Sequence, residues 1–142
     1  MKHLKNHWDQ IFQSQSDEKL GWFESDYTQT LKFLYMIPGW EKSRIFIPGV
    51  GTSGIVDILK ETDSELILND ISSAAIEKMK QRFAAQDKKV QWMCQDISHG
   101  LPLENNSVDI WFDRAVLHFL VDERQIKDYF KNKFEGPLWI NN

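Results

Sequence analysis

Arg44-Ile45-Phe46-Ile47-Pro48-Gly49-Val50-Gly51-Thr52-Ser53-Gly54 decides the fold. Its first four residues are a short β-rich run. Pro48 to Gly54 is a turn, and Ile55, Ile58 and Leu59 then recur at helical spacing. A strand that turns through Gly49-x-Gly51-x-x-Gly54 into a helix is the context in which this glycine spacing carries meaning. Glycine lets the backbone turn sharply and lets a ligand approach closely. N–H groups at the start of the helix favour an anionic group there. Taken alone, the pattern also suits a strand–helix turn that holds nothing.

The same alternation continues on the C-terminal side. Glu65-Leu66-Ile67-Leu68 reads as a second strand ending in Asn69-Asp70. Ser72 or Ser73 caps the next helix, whose inner face is Ile76, Met79 and Phe83. Val90-Gln91-Trp92-Met93 is a third strand ending in Gln95-Asp96, and Val108 to Phe112 is a fourth ending in Asp113. Arg114 to Leu120 is a strongly apolar connection. Asp122 to Phe130 is a helix with Ile126, Tyr129 and Phe130 inward, and Leu138-Trp139-Ile140 is a fifth strand.

On the N-terminal side, residues 3–13 place Leu4, Trp8, Ile11 and Phe12 at helical spacing, with Lys5, Asp9 and Gln10 between them. Leu20-Gly21-Trp22-Phe23-Glu24 is an aromatic cluster in a loop. Thr28 to Ile37 is a helix with Leu31, Leu34 and Tyr35 on one face, ended by Pro38-Gly39.

Strands alternating with helices imply βαβ units in an α/β fold with a parallel sheet. Such a sheet brings its strand C-termini to one edge, where ligands bind. Four strands deliver glycine or acid there: Gly49 and Gly51, Asp70, Asp96 and Asp113.

Composition narrows the class. The chain has 142 residues, 42% hydrophobic and 27% charged, which suits one globular domain. We expect residues 1–142 to form that domain, with 1–40 as an N-terminal helical lid and 41–142 as the cofactor-binding α/β core. The net charge is -4, so no nucleic-acid footprint is expected. No apolar run approaches the ~20 residues of a membrane span. A lone cysteine, Cys94, excludes an internal disulfide and an all-cysteine zinc site, and it suits a reducing, cytoplasmic setting. Its strand-like surroundings predict a buried, inert thiol. Six tryptophans suggest rings lining a pocket or interface, with Tyr27, Trp40 and Trp111 as candidates.

Asp70 lies 21 residues beyond Gly49, at the end of the second strand. A carboxylate there accepts both hydroxyls of a ribose, or simply caps the helix that follows. Asp96-Ile97 ends the third strand, where an acid bonds an adenine amino group and an apolar residue packs the ring. Two cofactor classes use this geometry. NAD(P) sets a pyrophosphate on the glycine loop. S-adenosylmethionine has no phosphate and sets its carboxylate and ammonium near the loop instead. His3, His7 and His99 show no metal-ligand spacing, so no metal is expected.

Five stretches together resemble the class I S-adenosylmethionine-dependent methyltransferases. Ile45 to Gly54 is similar to that family's glycine motif, Leu68 to Ser72 to its ribose-binding strand end, and Cys94 to Ile97 to its adenine-binding motif. Ser107 to His118 resembles its fourth-strand motif. His7 to Phe12, followed by Leu20 to Glu24, resembles a subgroup with a Trp-x-x-Ile-Phe helix before an aromatic loop.

The resemblance implies a Rossmann-like, mostly parallel sheet with helices on both faces. It implies that Gly49, Gly51, Thr52, Ser53, Asp70, Ile71, Asp96, Ile97 and Asp113 bind S-adenosylmethionine and release S-adenosylhomocysteine. Trp22 would present its ring to the sulfonium, and Asp113 and His118 would serve catalysis; core packing of Trp22 and His118 stays open. The implied reaction is direct in-line displacement onto a small-molecule or protein nucleophile. Many family members carry an acid where this chain has Ile47. The family's sheet has seven strands and five are read here, so a sheet truncated at its last strands is expected. A homodimer closing the open edge would follow. The alternatives are a binding or interaction module that has lost catalysis, and an NAD(P)-binding domain.

Overall fold

A computed structural model of the chain describes residues 2–14, 26–83, 89–97, 107–113 and 138–141. The elements are α1 (Lys2–Ser14), α2 (Thr28–Tyr35), β1 (Arg44–Ile47), α3 (Ile55–Lys60), β2 (Glu65–Asp70), α4 (Ser73–Arg82), β3 (Val90–Cys94), β4 (Ile110–Asp113) and β5 (Leu138–Asn141). The strands form one five-stranded sheet in the order β3-β2-β1-β4-β5. Every adjacent pair is parallel, so all five strand C-termini share one edge. The α/β, Rossmann-like arrangement expected from the sequence is the arrangement found.

The central strands are apolar at consecutive positions because both faces of the sheet are covered. Ile45, Phe46 and Ile47 are all fully buried. One face carries Ile45, Ile47, Leu66, Leu68, Ile110 and Phe112, and it packs with Leu31 and Leu34 of α2, Ile55 and Leu59 of α3 and Met79 of α4. Phe46, Ile67 and Trp111 are buried on alternate positions, and the Phe46 and Trp111 rings meet at 4.5 Å. Trp111 is therefore a core residue and not a pocket-lining partner of Tyr27 and Trp40. Trp40 is half-buried and packs on Tyr35, with ring centroids 5.1 Å apart.

The helices follow their apolar faces, with local exceptions. Phe12 of α1 is buried with Ala75 of α4, and Trp8 and Ile11 pack beside them. Ser72 caps α4 by accepting from the Ala75 N–H, as one of the two expected serines. Leu31 and Leu34 of α2 are buried as expected, whereas Tyr35 is exposed; in α3 Ile58 is exposed and Val56 is buried beside Ile55 and Leu59. A helix of six or eight residues makes barely two turns, so a one-residue rotation changes which side chain meets the core. Cys94 is also a correction. It ends β3 as an exposed residue rather than a buried one. Its sulfur is still partly shielded, and that desolvation pushes the thiol pKa up, which disfavours the reactive thiolate.

The aromatic cluster at 20–24, the connection at 114–120 and the helix read over 122–130 lie outside the described residues. Among the described residues, no helix is long and apolar enough to cross a membrane. Replacing Trp111 with alanine should lower unfolding free energy by about 3–5 kcal/mol in a denaturant titration. Met36→Ala, at a position 75% exposed, should change it by less than about 0.5 kcal/mol.

Candidate functional site

The site is built where β1 and β2 end side by side. The parallel register pairs Ile47 with Leu68, so the loop leaving β1 emerges next to Asn69 and Asp70. Gly49 and Gly51 sit at φ 58 and 56, a left-handed conformation that glycine adopts without a Cβ penalty. Three bonds then stitch the loop to β2, the longest from the Gly49 N–H to Asn69 Oδ1 at 3.4 Å. The Val50 N–H donates to the Asn69 carbonyl at 2.8 Å, and the Gly51 N–H donates to Asp70 Oδ2 at 2.8 Å. Asn69 also joins β2 to β3, donating from Nδ2 to the carbonyls of Met93 (3.2 Å) and Gln95 (2.9 Å).

Asp70 is the centre of this arrangement. It is 6% exposed, and its second oxygen accepts from the Ser72 N–H at 2.9 Å. Burial pushes the carboxyl up to about 6, against main-chain donation from Ser72 and Gly51 that pulls it down. Ser72, not Asp70, caps α4; Asp70 supports that cap through the Ser72 N–H and is free to take on a second role. An ionised carboxylate offers about four lone-pair sites, and each oxygen of Asp70 retains capacity beyond its Gly51 or Ser72 bond.

The loop does not present a row of free N–H groups to an anion, contrary to the expectation from its glycine spacing. The Gly54 N–H donates to the Tyr27 hydroxyl at 3.0 Å, and the Ser53 N–H to the Val50 carbonyl at 3.3 Å. The Ile55 N–H reaches Ser53 Oγ at 3.3 Å. Tyr27, outside any motif, thus seals the start of α3; a Cβ at Gly54 would meet its hydroxyl at 2.9 Å. Arg82 braces the loop from α4, donating to the carbonyls of Thr52 (3.0 Å) and Ser53 (3.1 Å). The sequence marks Tyr27 only as a pocket aromatic, and it does not single out Arg82. A basic residue in the last turn of a helix is already accounted for by the helix dipole, and nothing in the spacing pointed to the loop.

The remaining candidates fall along the same edge. Thr52 and Asp113 are buried, Ile97 is 8% exposed, and Ser53, Ile71 and Asp96 are half-buried. Asp113 ends β4, the neighbour of β1 on the side away from β2. Trp22 and His118 lie outside the described residues. Among the described residues, no cluster of three His, Cys, Asp or Glu side chains is arranged to hold a metal ion.

Comparison with known proteins gives this geometry a family. The profile of the family described as methyltransferase domain matches residues 47–131, more than half of the chain. Phosphoethanolamine N-methyltransferase 1 of Haemonchus contortus, solved with phosphoethanolamine and S-adenosylhomocysteine, is similar in fold with a TM-score of 0.74 and 18% identity. That similarity covers 96% of this chain and 30% of that one. An S-adenosylmethionine-dependent methyltransferase of Clostridium acetobutylicum matches with a TM-score of 0.65 and 18% identity, over 99% of this chain and 56% of that one. A TehB-like methyltransferase of Corynebacterium glutamicum matches with a TM-score of 0.61 and 15% identity, over 94% and 66%. The chain thus spans less than two thirds of the length of each of these structures. No curated protein matches it in sequence.

Two measurements test this geometry. Gly54→Ala should destabilise the protein by about 1–2 kcal/mol by displacing Tyr27 and its bond. The loss should be smaller in a Tyr27→Phe background, where the hydroxyl is already gone. Asp70 gives a pH signature. Its folded pKa is raised to about 6 from 3.8, so its contribution favours folding below 3.8 and is lost as pH rises through about 6. The difference in unfolding free energy between wild type and Asp70→Asn should therefore move in the variant's favour by roughly 3 kcal/mol between pH 4 and 7.

Proposed function

The chain belongs to the methyltransferase domain family, and from that premise we propose that it binds S-adenosylmethionine along the C-terminal edge of its sheet and transfers the methyl group to a small-molecule or protein nucleophile by in-line displacement. The observation that carries this reading is the buried Asp70 carboxylate, bonded to the Gly51 N–H beside two left-handed glycines. Structural neighbours solved as S-adenosylmethionine-dependent enzymes, one with S-adenosylhomocysteine bound, support it.

The residues fit this cofactor better than a dinucleotide. A pyrophosphate needs unoccupied N–H groups at a helix start, and here Gly54 and Ile55 direct theirs to Tyr27 and Ser53. A cofactor without phosphate needs no such donors. Its ribose diol needs a carboxylate acceptor at the end of β2, which Asp70 supplies. Asp96 and Ile97 would meet the adenine at the end of β3, the acid accepting from the amino group and Ile97 packing the ring. Gly49, Gly51, Thr52 and Ser53 would shape the loop against the methionine end. Ile47 holds the position where many family members place an acid toward the methionine ammonium, so main-chain carbonyls of the loop would serve that group here.

When bound, the cofactor supplies an electrophilic methyl group on a cationic sulfonium. The chain's part is positioning, because holding nucleophile and methyl in line and close supplies most of the acceleration such a reaction requires. Asp113, buried at the end of β4, would orient the acceptor or take its proton. His118 and Trp22 are retained as candidates for proton acceptance and for a ring face toward the sulfonium.

Titration calorimetry with S-adenosylhomocysteine, S-adenosylmethionine and NADH tests this assignment. The first two should bind and NADH should not. Ionised Asp70 is the acceptor for the ribose hydroxyls, so affinity should rise with pH and level off above about 6. Below that it should fall about tenfold per pH unit, and Asp70→Asn should remove the slope and weaken binding by roughly 1.5–3 kcal/mol. Tight binding without methyl transfer to any thiol, amine or peptide acceptor would favour the binding-module alternative. NADH binding would overturn the cofactor assignment.

A further inference from the structure

We propose that Asp9 is a positioning residue for the cofactor's ribose, acting on Asp70 through Ser72; the proposal rests on the reading of Asp70 given above. Asp9 lies on α1, far from Asp70 in sequence and outside every motif of the α/β core. Its Oδ1 accepts from Ser72 Oγ at 2.6 Å and from the Ala74 N–H at 3.1 Å. Its other oxygen pairs with Lys5 Nζ, which also donates to Ser73 Oγ at 2.9 Å. One turn of α1 thereby grips the first residues of α4.

Ser72 transmits the grip. It is fully buried, and its hydroxyl and main-chain N–H make three bonds with distinct tasks. The Oγ accepts from the Ala75 N–H at 3.1 Å, which caps α4. The hydroxyl proton goes to Asp9. The main-chain N–H goes to Asp70 Oδ1 at 2.9 Å. A hydroxyl has one proton and rotates to suit its partners, so Asp9 fixes which way the Ser72 side chain turns while it caps. Asp9 also takes the Ala74 N–H, one of the donors that a helix start leaves without an internal partner. With both bonds in place, the residue whose N–H aims the Asp70 carboxylate is held from two sides.

Packing alone would not require this carboxylate. Phe12, Trp8 and Ile11 already seat α1 against Ala74 and Ala75, and a polar group in a half-buried position is costly unless bonded. Apolar contact sets that α1 docks, and Asp9 sets the register at which it docks.

The test is a double-mutant cycle read by S-adenosylhomocysteine calorimetry, with thermal melts confirming that each variant folds. Asp9→Ala should weaken binding about five- to tenfold, the size of a lost cap. Asp9→Asn keeps an acceptor oxygen for Ser72 and Ala74 and should stay within about twofold of wild type. In an Asp70→Ala background, Asp9→Ala should change affinity by less than about twofold, because the acceptor that it positions is gone. Ser72→Gly keeps an acceptable cap backbone while removing the hydroxyl that Asp9 holds, so it should reproduce the Asp9→Ala loss even if Asp9→Ala itself does not fold. Equal losses from Asp9→Ala in both backgrounds would overturn the proposal by showing that α1 acts independently of Asp70. Wild-type affinity in Asp9→Ala or in Ser72→Gly would also overturn it. If Asp70→Ala itself binds S-adenosylhomocysteine as tightly as wild type, the ribose reading fails first, and this proposal fails with it.

Discussion

The bond from the Gly51 N–H to the Asp70 carboxylate, 2.8 Å long, joins the exits of two parallel strands, and much of the site depends on it. It requires β1 and β2 to be in register, so that the glycine loop and the end of β2 leave the sheet together. Gly51 itself is left-handed, so the chain turns on from this bond without a Cβ penalty. The bond also fixes what the loop can bind. Once Gly51, Ser53 and Gly54 spend their N–H groups on the protein, little of the loop is left for a phosphate, and its shape rather than its donors faces a ligand. A loop built like this suits a cofactor recognised through its ribose and its purine.

Two side chains from the N-terminal elements close the starts of the helices that flank this bond. Tyr27, just before α2, accepts from the Gly54 N–H at the start of α3. Asp9 of α1 accepts from Ser72 and Ala74 at the start of α4. Both helices leave the C-terminal edge of the sheet, so both contacts lie beside the candidate site. The expectation of an N-terminal lid over a separate core assigned these segments a covering role. The geometry adds a bracing role, because donors that a helix start would otherwise expose are satisfied by side chains reaching in from outside the core. Surface ion pairs add little beside this. Arg44 and Glu65 lie 3.2 Å apart but are largely exposed, and such pairs contribute at most about 1 kcal/mol.

The fold was legible because its signals are local. Each of the four core strands is a short β-rich run that stops at glycine or acid, and the structure puts the stop at the sheet edge in every case. Asp70 was legible for the same reason: its position after Leu68 follows from strand length alone. Residues whose role depends on contacts between distant parts of the chain were not. Asp9 reads as one of the polar residues spacing an amphipathic helix, and its partners Ser72 and Ala74 are more than sixty residues away. Of the aromatics grouped as pocket candidates, Trp111 instead fills the core beside Phe46, and Tyr27 accepts from the Gly54 N–H of the glycine loop. Ring content shows that aromatic surface must be buried somewhere, but not which face of a strand or helix buries it. Cys94 failed in the same way. It follows buried Met93 on the strand, and alternation turns it outward at the sheet's end.

Asp70 also carries the physical argument for the binding proposed at this edge. A carboxylate buried among apolar strands is disfavoured in its charged form, which is the cause of its raised pKa. Above pH 6 the free protein nevertheless holds the ionised form, with two main-chain donors offsetting part of the desolvation and lone pairs left over. A ligand that donates hydroxyl protons to those lone pairs supplies what the fold leaves incomplete. The stabilisation such a ligand gives is then largest where the free protein is most strained. Sequence rules for a stable fold would place an apolar or neutral residue at the end of β2. A breach of those rules at one position, supported by neighbours on α1, the glycine loop and α4, is what a functional site looks like in physical terms.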